Sequence, residues 1–168
     1  MPAGGITKRD MHALYSDHHG WLRGWLGVKL GNASDAADLA HDTFLRLMTS
    51  RGLPAQLGDE PRALLTHIAK GLVVDHWRRE SVERAYLEAL AQQPDVETPS
   101  PETRLLIIDA LTRIDAMLAT MGARTREIFL LAQLDGLTLK QIAERTGAPV
   151  ITVRRHIKKA LVACMAIE

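Results

Sequence analysis

The chain has 168 residues, of which 46% are hydrophobic and only 4% aromatic, and its formal net charge is +1. This length suits one domain or two small ones, and the scarcity of aromatic and β-branched runs argues against a sheet, so we expect an all-α protein. No apolar run reaches membrane-spanning length, the N-terminus lacks a signal-peptide core, and the single cysteine excludes an internal disulfide, which together predict a cytoplasmic protein.

Apolar residues at helical spacing predict the first two helices. The first lies between Met11 and Leu30 and has a large aromatic face, whose tryptophans we interpret as core residues. Ser34 or Asp35 is expected to cap the second helix. The inward face of this helix is predicted to carry Ala36, Ala40, Phe44, Leu47 and Met48. Residues 51–59, which include two glycines and a proline, are predicted to form a loop.

A third helix is predicted to begin near Pro61 and to reach about Arg79. The residues expected to face inward are Leu64, Leu65, Ile68 and Leu72. Those expected to face outward are Thr66, Lys70, Val73 and Trp77, beside Arg62 and Arg78. Together the three helices would form one bundle over residues 1–91.

An interdomain linker is predicted over residues 92–101. This segment is polar and contains three prolines, which favour an extended backbone and cannot pack into a core. The remaining residues, 102–168, would then form a second small domain. We expect this second domain to contain four helices.

The last two of these helices are predicted to form a helix-turn-helix. Thr138 and Gln141 fit a T-x-x-Q capping box, Gly147 can supply a left-handed turn, and Pro149 suits the first turn of the final helix. The residues expected to pack inward on the final helix are Val153, Ile157 and Leu161. Its outer face is expected to present Arg154, Arg155, Lys158 and Lys159.

Charge is segregated along the chain although the net charge is small. Acids outnumber basic residues between positions 80 and 104, whereas residues 145–159 contain five basic residues and no acid. Such a local positive field suits DNA phosphates. The alternative is an ordinary amphipathic hairpin with a solvated basic face. That alternative requires the capping box, the turn glycine and the acid-free face to coincide by chance.

The alternative functions to consider are a free-standing helix-turn-helix regulator and a metal-dependent enzyme. A free-standing helix-turn-helix regulator would need a dimer seam or a receiver domain, and neither is apparent. A metal-dependent enzyme would have to use His18, His19, His41, His67, His76 or His156. No H-E-x-x-H motif, Cys-His cluster or phosphate-binding glycine loop accompanies these histidines. We therefore predict no enzymatic activity, no cofactor and no metal.

Three segments carry a family resemblance. They are Asp35-Ala-Ala-Asp-Leu-Ala-His-Asp-Thr-Phe-Leu-Arg, Ile68-Ala-Lys-Gly-Leu-Val-Val-Asp-His-Trp-Arg-Arg and Arg126-Glu-Ile-Phe-Leu-Leu-Ala-Gln-Leu-Asp-Gly-Leu-Thr. With two helical domains and a terminal helix-turn-helix, the chain resembles an extracytoplasmic-function sigma factor of bacterial RNA polymerase, in the sigma-70 family. The segments His18-His-Gly-Trp-Leu and Ala85-Tyr-Leu-Glu-Ala-Leu further resemble its iron-starvation branch, which includes the ferric citrate uptake sigma factor.

The resemblance implies that residues 1–91 are sigma region 2, which binds core polymerase, recognises the minus-10 promoter element and helps to melt it. In this family the second helix docks on the clamp coiled coil of the largest polymerase subunit. The residues this implies are Asp38, Leu39, His41, Asp42, Leu45 and Arg46. His41 departs from the family pattern, which has glutamine there. Contacts to the minus-10 element would come from Arg62, Thr66, Lys70, Trp77 and Arg78.

The resemblance also implies that residues 102–168 are sigma region 4, which recognises the minus-35 element. The contacts would come from Thr152, Arg154, Arg155, Lys158 and Lys159. The chain lacks the serine or threonine that the family commonly places near Pro149.

Two further implications concern the minus-10 contacts and the control of the protein. Trp77 either stacks on an extruded base or packs internally. A membrane-anchored anti-sigma regulator, coupled to an outer-membrane siderophore or haem receptor, would control the protein.

Overall fold

The structure, a computed structural model, describes residues 8–50 and 60–166. It has seven helices in these ranges, namely α1 (Lys8–Leu30), α2 (Ala33–Thr49), α3 (Pro61–Ala91), α4 (Pro101–Thr120), α5 (Ala123–Gln133), α6 (Leu139–Thr146) and α7 (Val150–Met165). The ranges contain no strand, and the predicted all-α fold is confirmed. The predicted loop over residues 51–59 lies outside the described residues.

Two compact units make up the chain, unit 1 (Met1–Trp77) and unit 2 (Arg78–Glu168). The boundary falls inside α3, which continues to Ala91 instead of ending near Arg79 as predicted. Residues 80–91 contain neither glycine nor proline and are rich in helix-favouring residues, so nothing in this segment interrupts the helix. Residues 92–100 contain no helix, and their role as an interdomain linker stays a prediction.

Unit 1 is a bundle of α1, α2 and the first part of α3 around one apolar core. The largest fully buried side chains of this core are Leu22, Leu26, Leu47 and Leu65. Trp21 and Trp25 pack against the core but are only partly buried, so their interpretation as core residues holds in part. Thr43 is fully buried, and its hydroxyl donates to the Leu39 carbonyl at 2.7 Å. The buried polar group is therefore satisfied.

Two residues of unit 1 lie on the opposite side from the one predicted. Met48 is 62% exposed, because it is about 100° around the helix axis from buried Leu47. Val73 is only 4% exposed, since it follows buried Ala69 by about one helical turn. Both residues occupy the edge of an amphipathic face, where the sequence pattern discriminates least.

The connection between α1 and α2 is closed by a glycine and an asparagine. Gly31 has a φ of 67°, a left-handed conformation that favours glycine. Asn32, and not the predicted Ser34 or Asp35, is the N-cap of α2. Its Oδ1 accepts hydrogen bonds from the backbone N–H groups of Ser34 at 2.8 Å and Asp35 at 3.2 Å. Asparagine caps a helix as well as serine or aspartate does.

Unit 2 contains a second core, formed by α5, α6 and α7. Its buried residues are Ile128, Leu131, Ile142 and Val153. Leu161, predicted to face inward, is 46% exposed, whereas Ala160 is fully buried. Ala160 follows Val153 by seven residues and returns to within about 20° of it, whereas Leu161 is displaced by about 80°.

The last part of α3 is joined to α4 within unit 2 by three ion pairs. Their partners and shortest distances are Arg78 with Asp115 at 3.3 Å, Arg79 with Asp109 at 3.5 Å, and Arg104 with Glu83 at 3.1 Å. All six side chains keep some exposure, so each pair contributes on the order of 1 kcal/mol or less.

Candidate DNA and polymerase interfaces

The turn between α6 and α7 has the geometry that the sequence predicts. The Thr138 backbone N–H donates to Gln141 Oε1 at 2.9 Å, and the Gln141 backbone N–H donates to Thr138 Oγ1 at 3.3 Å, which completes the capping box. Gly147 ends α6 in the left-handed conformation, with φ 67° and ψ 13°. Pro149 is the N-cap of α7 and provides no side-chain cap. Local sequence chemistry thus fixes both the start and the end of α6.

The outer face of α7 is strongly basic. Arg154, Arg155, Lys158 and Lys159 are all exposed, and the helix contains no acidic residue. Thr152 is half-buried, and its Oγ1 accepts a weak hydrogen bond from Arg155 Nη2 at 3.4 Å. Four exposed cations on one helix can meet DNA phosphates or the acceptor groups of guanine in the major groove.

Two contacts that the sequence did not reveal brace the helix-turn-helix against α5. Thr125, which is buried, lies with its Oγ1 2.9 Å from Nδ1 of His156 on α7. Arg124 donates from Nη2 to the backbone carbonyl of Thr146 at the end of α6. The carbonyl groups at a helix end have no partner within the helix, so an arginine is a suitable donor for them. The first contact joins α5 to α7, and the second joins α5 to the end of α6.

Four of the predicted minus-10 residues share one face of α3 in unit 1. Their spacing is four, four and seven residues, which keeps Arg62, Thr66, Lys70 and Trp77 within one side of the helix. Arg62 and Lys70 are exposed, and Thr66 is half-buried. Trp77 is 46% exposed, so its ring combines an apolar surface with access from solvent. The guanidinium carbon of Arg62 lies 4.8 Å from the centroid of the Trp21 ring.

Arg78, the fifth predicted minus-10 residue, belongs to unit 2. Its side chain is 24% exposed and forms the ion pair with Asp115 described above. A DNA phosphate would compete with this carboxylate for the guanidinium group. Arg62, Lys70 and Trp77 are therefore more accessible to DNA than Arg78.

The outward face of α2 presents charges around an exposed leucine. Asp38, His41, Asp42 and Arg46 are exposed, and Leu45 is 43% exposed. Leu39 is only 9% exposed and belongs to the unit 1 core, so it supports this face from below and does not form part of it. Arg46 Nη2 lies 3.9 Å from Asp75 Oδ2 on α3. A large apolar side chain ringed by charged groups is typical of a protein interface.

Neither a metal site nor a membrane span is found among the residues that the structure describes. Within residues 8–50 and 60–166, no cluster of three or more histidine, cysteine, aspartate or glutamate side chains is arranged to hold a metal ion. None of the helices in these ranges combines the length and apolar character needed to cross a bilayer.

Comparison with known proteins matches both units to one family. Residues 14–82 match the family described as Sigma-70 region 2, and residues 111–164 match Sigma-70, region 4. The ferric citrate uptake sigma factor FecI of Escherichia coli (strain K12) is 46% identical over 153 residues, which are 91% of this chain and 87% of that protein. The ECF RNA polymerase sigma factor SigL of Mycobacterium tuberculosis (strain H37Rv) is 27% identical over 90% of this chain and 84% of its own length. The chain therefore belongs to the extracytoplasmic-function branch of the sigma-70 family, whose members bind core RNA polymerase and direct it to specific promoters.

Proposed function

We propose that this sigma factor initiates transcription of genes for ferric siderophore or haem uptake, under the control of a membrane-anchored anti-sigma regulator. The 46% identity to the ferric citrate uptake sigma factor, which extends over 87% of that protein, supports this assignment. The protein acts in the cytoplasm, where the core polymerase is found. It performs no covalent chemistry of its own, because the polymerase supplies the active site.

The minus-35 element is assigned to α7. The observation that carries this assignment is the exposed basic face of α7, which has four cations and no acid. Each cation that neutralises a phosphate of duplex DNA contributes about 0.9 to the slope of log K against log salt concentration. A cation that reads a guanine edge contributes about 1 to 3 kcal/mol of discrimination between bases. Lys158 and Arg155 lie nearest the middle of this face.

The minus-10 element is assigned to the side of α3 that carries Arg62, Thr66, Lys70 and Trp77. Extruding a base from the duplex costs a few kcal/mol, and stacking on an aromatic side chain returns about 1 to 3 kcal/mol. Trp77 is accessible enough to supply this stacking, while Arg62 and Lys70 would contact the backbone. The core polymerase is assigned to the outward face of α2, with Leu45 as the apolar contact.

Run-off transcription with core polymerase tests the proposal. The template is the promoter region of the nearest receptor gene, and the proteins are the wild type, Lys158→Ala and Lys29→Ala. Lys29 is exposed at the end of α1, so its replacement removes the same charge from a helix that is not assigned to DNA. We expect Lys158→Ala to reduce transcription that depends on the minus-35 element, and Lys29→Ala to leave it unchanged. No transcription from any candidate promoter by the wild-type holoenzyme would refute the proposed gene targets.

DNase footprinting distinguishes a sigma factor from a free-standing regulator. The proposal requires core polymerase for protection of the promoter. Protection of an operator by the isolated chain would favour the free-standing regulator instead.

A further inference from the structure

The contact between Trp21 and Arg62 links α1 to the proposed DNA-binding face of α3. Trp21 packs against the unit 1 core and keeps part of its ring accessible, whereas Arg62 is exposed in the first turn of α3. The guanidinium carbon lies 4.8 Å from the ring centroid, which is within the range of a cation–π interaction. The ring is anchored in the core and the cation is at the surface.

Stacking on an aromatic ring limits the orientation of an arginine guanidinium group but leaves its N–H donors free to bind a ligand. The guanidinium group is planar and presents its N–H donors as a rigid fork in that plane. When one face of the plane lies against an indole, the edge still points outward and can donate two parallel hydrogen bonds to a phosphate. A long side chain that is already ordered loses less rotamer entropy when it binds.

The position of Arg62 makes a DNA phosphate the matching ligand. Thr66 and Lys70 follow it at intervals of about one turn on the same face of α3, and Lys70 is an exposed cation. A DNA strand that runs along this face would therefore contact Arg62 near the N-terminus of α3.

A second tryptophan on α1 provides a matched comparison. Lys29 Nζ lies 5.6 Å from the centroid of the Trp25 ring, and Trp25 is also a partly buried residue that packs against the unit 1 core. Both partners belong to α1, four residues apart, and neither lies on the face of α3 assigned to DNA. Trp25 thus resembles Trp21 in burial and in its cation contact, but not in the helix to which its cation belongs.

We propose that Trp21 is a positioning residue for promoter binding, which holds the Arg62 guanidinium in the orientation that meets a phosphate of the minus-10 region. The inference rests on the proposed function in one respect, since it requires that Arg62 contacts promoter DNA. Trp21 itself does not touch the DNA and acts through Arg62.

A double-mutant cycle tests this role. Promoter affinity of the reconstituted holoenzyme is measured at several salt concentrations with wild type, Trp21→Leu, Arg62→Gln and the double variant. Arg62→Gln should lower the affinity and reduce the salt slope by about 0.7 on a single strand or about 0.9 on a duplex. Trp21→Leu should lower the affinity about two- to fivefold in the wild-type background and have no further effect when Arg62 is already replaced. Trp21→Phe, which keeps an aromatic face, should restore part of the loss.

Two controls separate positioning from general damage to the fold. Trp25→Leu removes a comparable side chain from the same core and should leave promoter affinity unchanged. Arg62→Lys keeps the charge but loses the planar fork, so it should weaken binding without the full loss of salt slope. This variant tests the proposal even if Trp21→Leu does not fold.

The possible failures are distinguishable. If Arg62→Gln changes neither affinity nor salt slope, the proposed DNA contact of Arg62 is wrong and the role of Trp21 falls with it. If Arg62→Gln weakens binding but Trp21→Leu has an equal effect in both backgrounds, Arg62 still binds DNA and the positioning role of Trp21 is wrong. Wild-type affinity of Arg62→Lys would also overturn the positioning role.

Discussion

Replacement of Gly147 by alanine tests whether the helix-turn-helix depends on one left-handed residue. Gly147 has φ 67° and ψ 13°, and a Cβ added there would meet no atom within 4 Å. The cost of the substitution therefore comes from the backbone alone. An L-residue in the left-handed conformation costs about 1 to 2 kcal/mol. The reduced entropy of the unfolded chain returns about 0.4 to 1 kcal/mol, so we expect a net loss of about 1 kcal/mol.

Hydrogen exchange of the full-length chain measures this loss where it occurs. A loss of about 1 kcal/mol corresponds to about fivefold faster exchange for amides that exchange through opening of the helix-turn-helix. We expect this change in α6 and α7, with no change in α1 and α2. Gly147→Asn should show a smaller effect, because asparagine tolerates the left-handed conformation better than alanine does.

Gly122→Ala is the matched control for this experiment. Gly122 also has open space around its Cα, but its φ is −58°, which alanine adopts readily. The reduced entropy of the unfolded chain favours alanine there, whereas the N-cap position of α5 favours glycine. These two effects oppose each other, so exchange in Gly122→Ala should stay close to that of the wild type. If Gly147→Ala is as stable as Gly122→Ala, or if α1 and α2 lose protection equally, the reasoning from the turn is refuted.

Three further predictions concern single positions. Gly24→Ala should raise the free energy of unfolding of unit 1 by about 1 kcal/mol, seen as a higher urea midpoint, because Gly24 is exposed inside α1 with open space around it; a lower midpoint would show a hidden contact. Asn32→Ala should lower this free energy by about 1 kcal/mol through loss of the α2 cap, and an unchanged midpoint would contradict that role of the side chain. Asp115→Asn removes the carboxylate paired with Arg78, so holoenzyme affinity for promoter DNA should rise; reduced affinity would speak against competition between Asp115 and DNA.

Sequence predicted the structure best where neighbouring residues decide the conformation. The capping box of Thr138 and Gln141 and the left-handed turn at Gly147 both depend on residues within one or two helical turns. Their geometry was confirmed. The predicted end of α3 near Arg79 was wrong, because residues 80–91 contain nothing that interrupts a helix.

Errors in the predicted faces share one physical cause. Met48 and Leu161 each lie about 40° around the helix from the nearest predicted core residue, which is Phe44 for Met48 and Ile157 for Leu161, and Val73 lies about 40° from buried Ala69. At such an angle the spacing pattern is ambiguous, and the packing of a neighbouring helix decides which side is covered. The asparagine cap of α2 was missed for a related reason, since several capping residues follow one another there.

Contacts between distant parts of the chain were not predictable from spacing. Arg62 over Trp21 and Thr125 beside His156 join residues that are far apart in sequence, and each contact depends on how two helices pack. The basic face of α7, in contrast, follows from the helical repeat alone. Which residues are exposed on a helix could therefore be predicted largely from sequence, whereas the residues that orient them could not.

The distribution of tryptophan has a practical consequence. All three tryptophans of the chain precede Arg78, so indole emission comes from unit 1 alone. Far-UV circular dichroism, in contrast, records the helices of both units. A single urea titration followed by the two signals would therefore show, without any added label, whether unit 1 and unit 2 unfold together or one after the other.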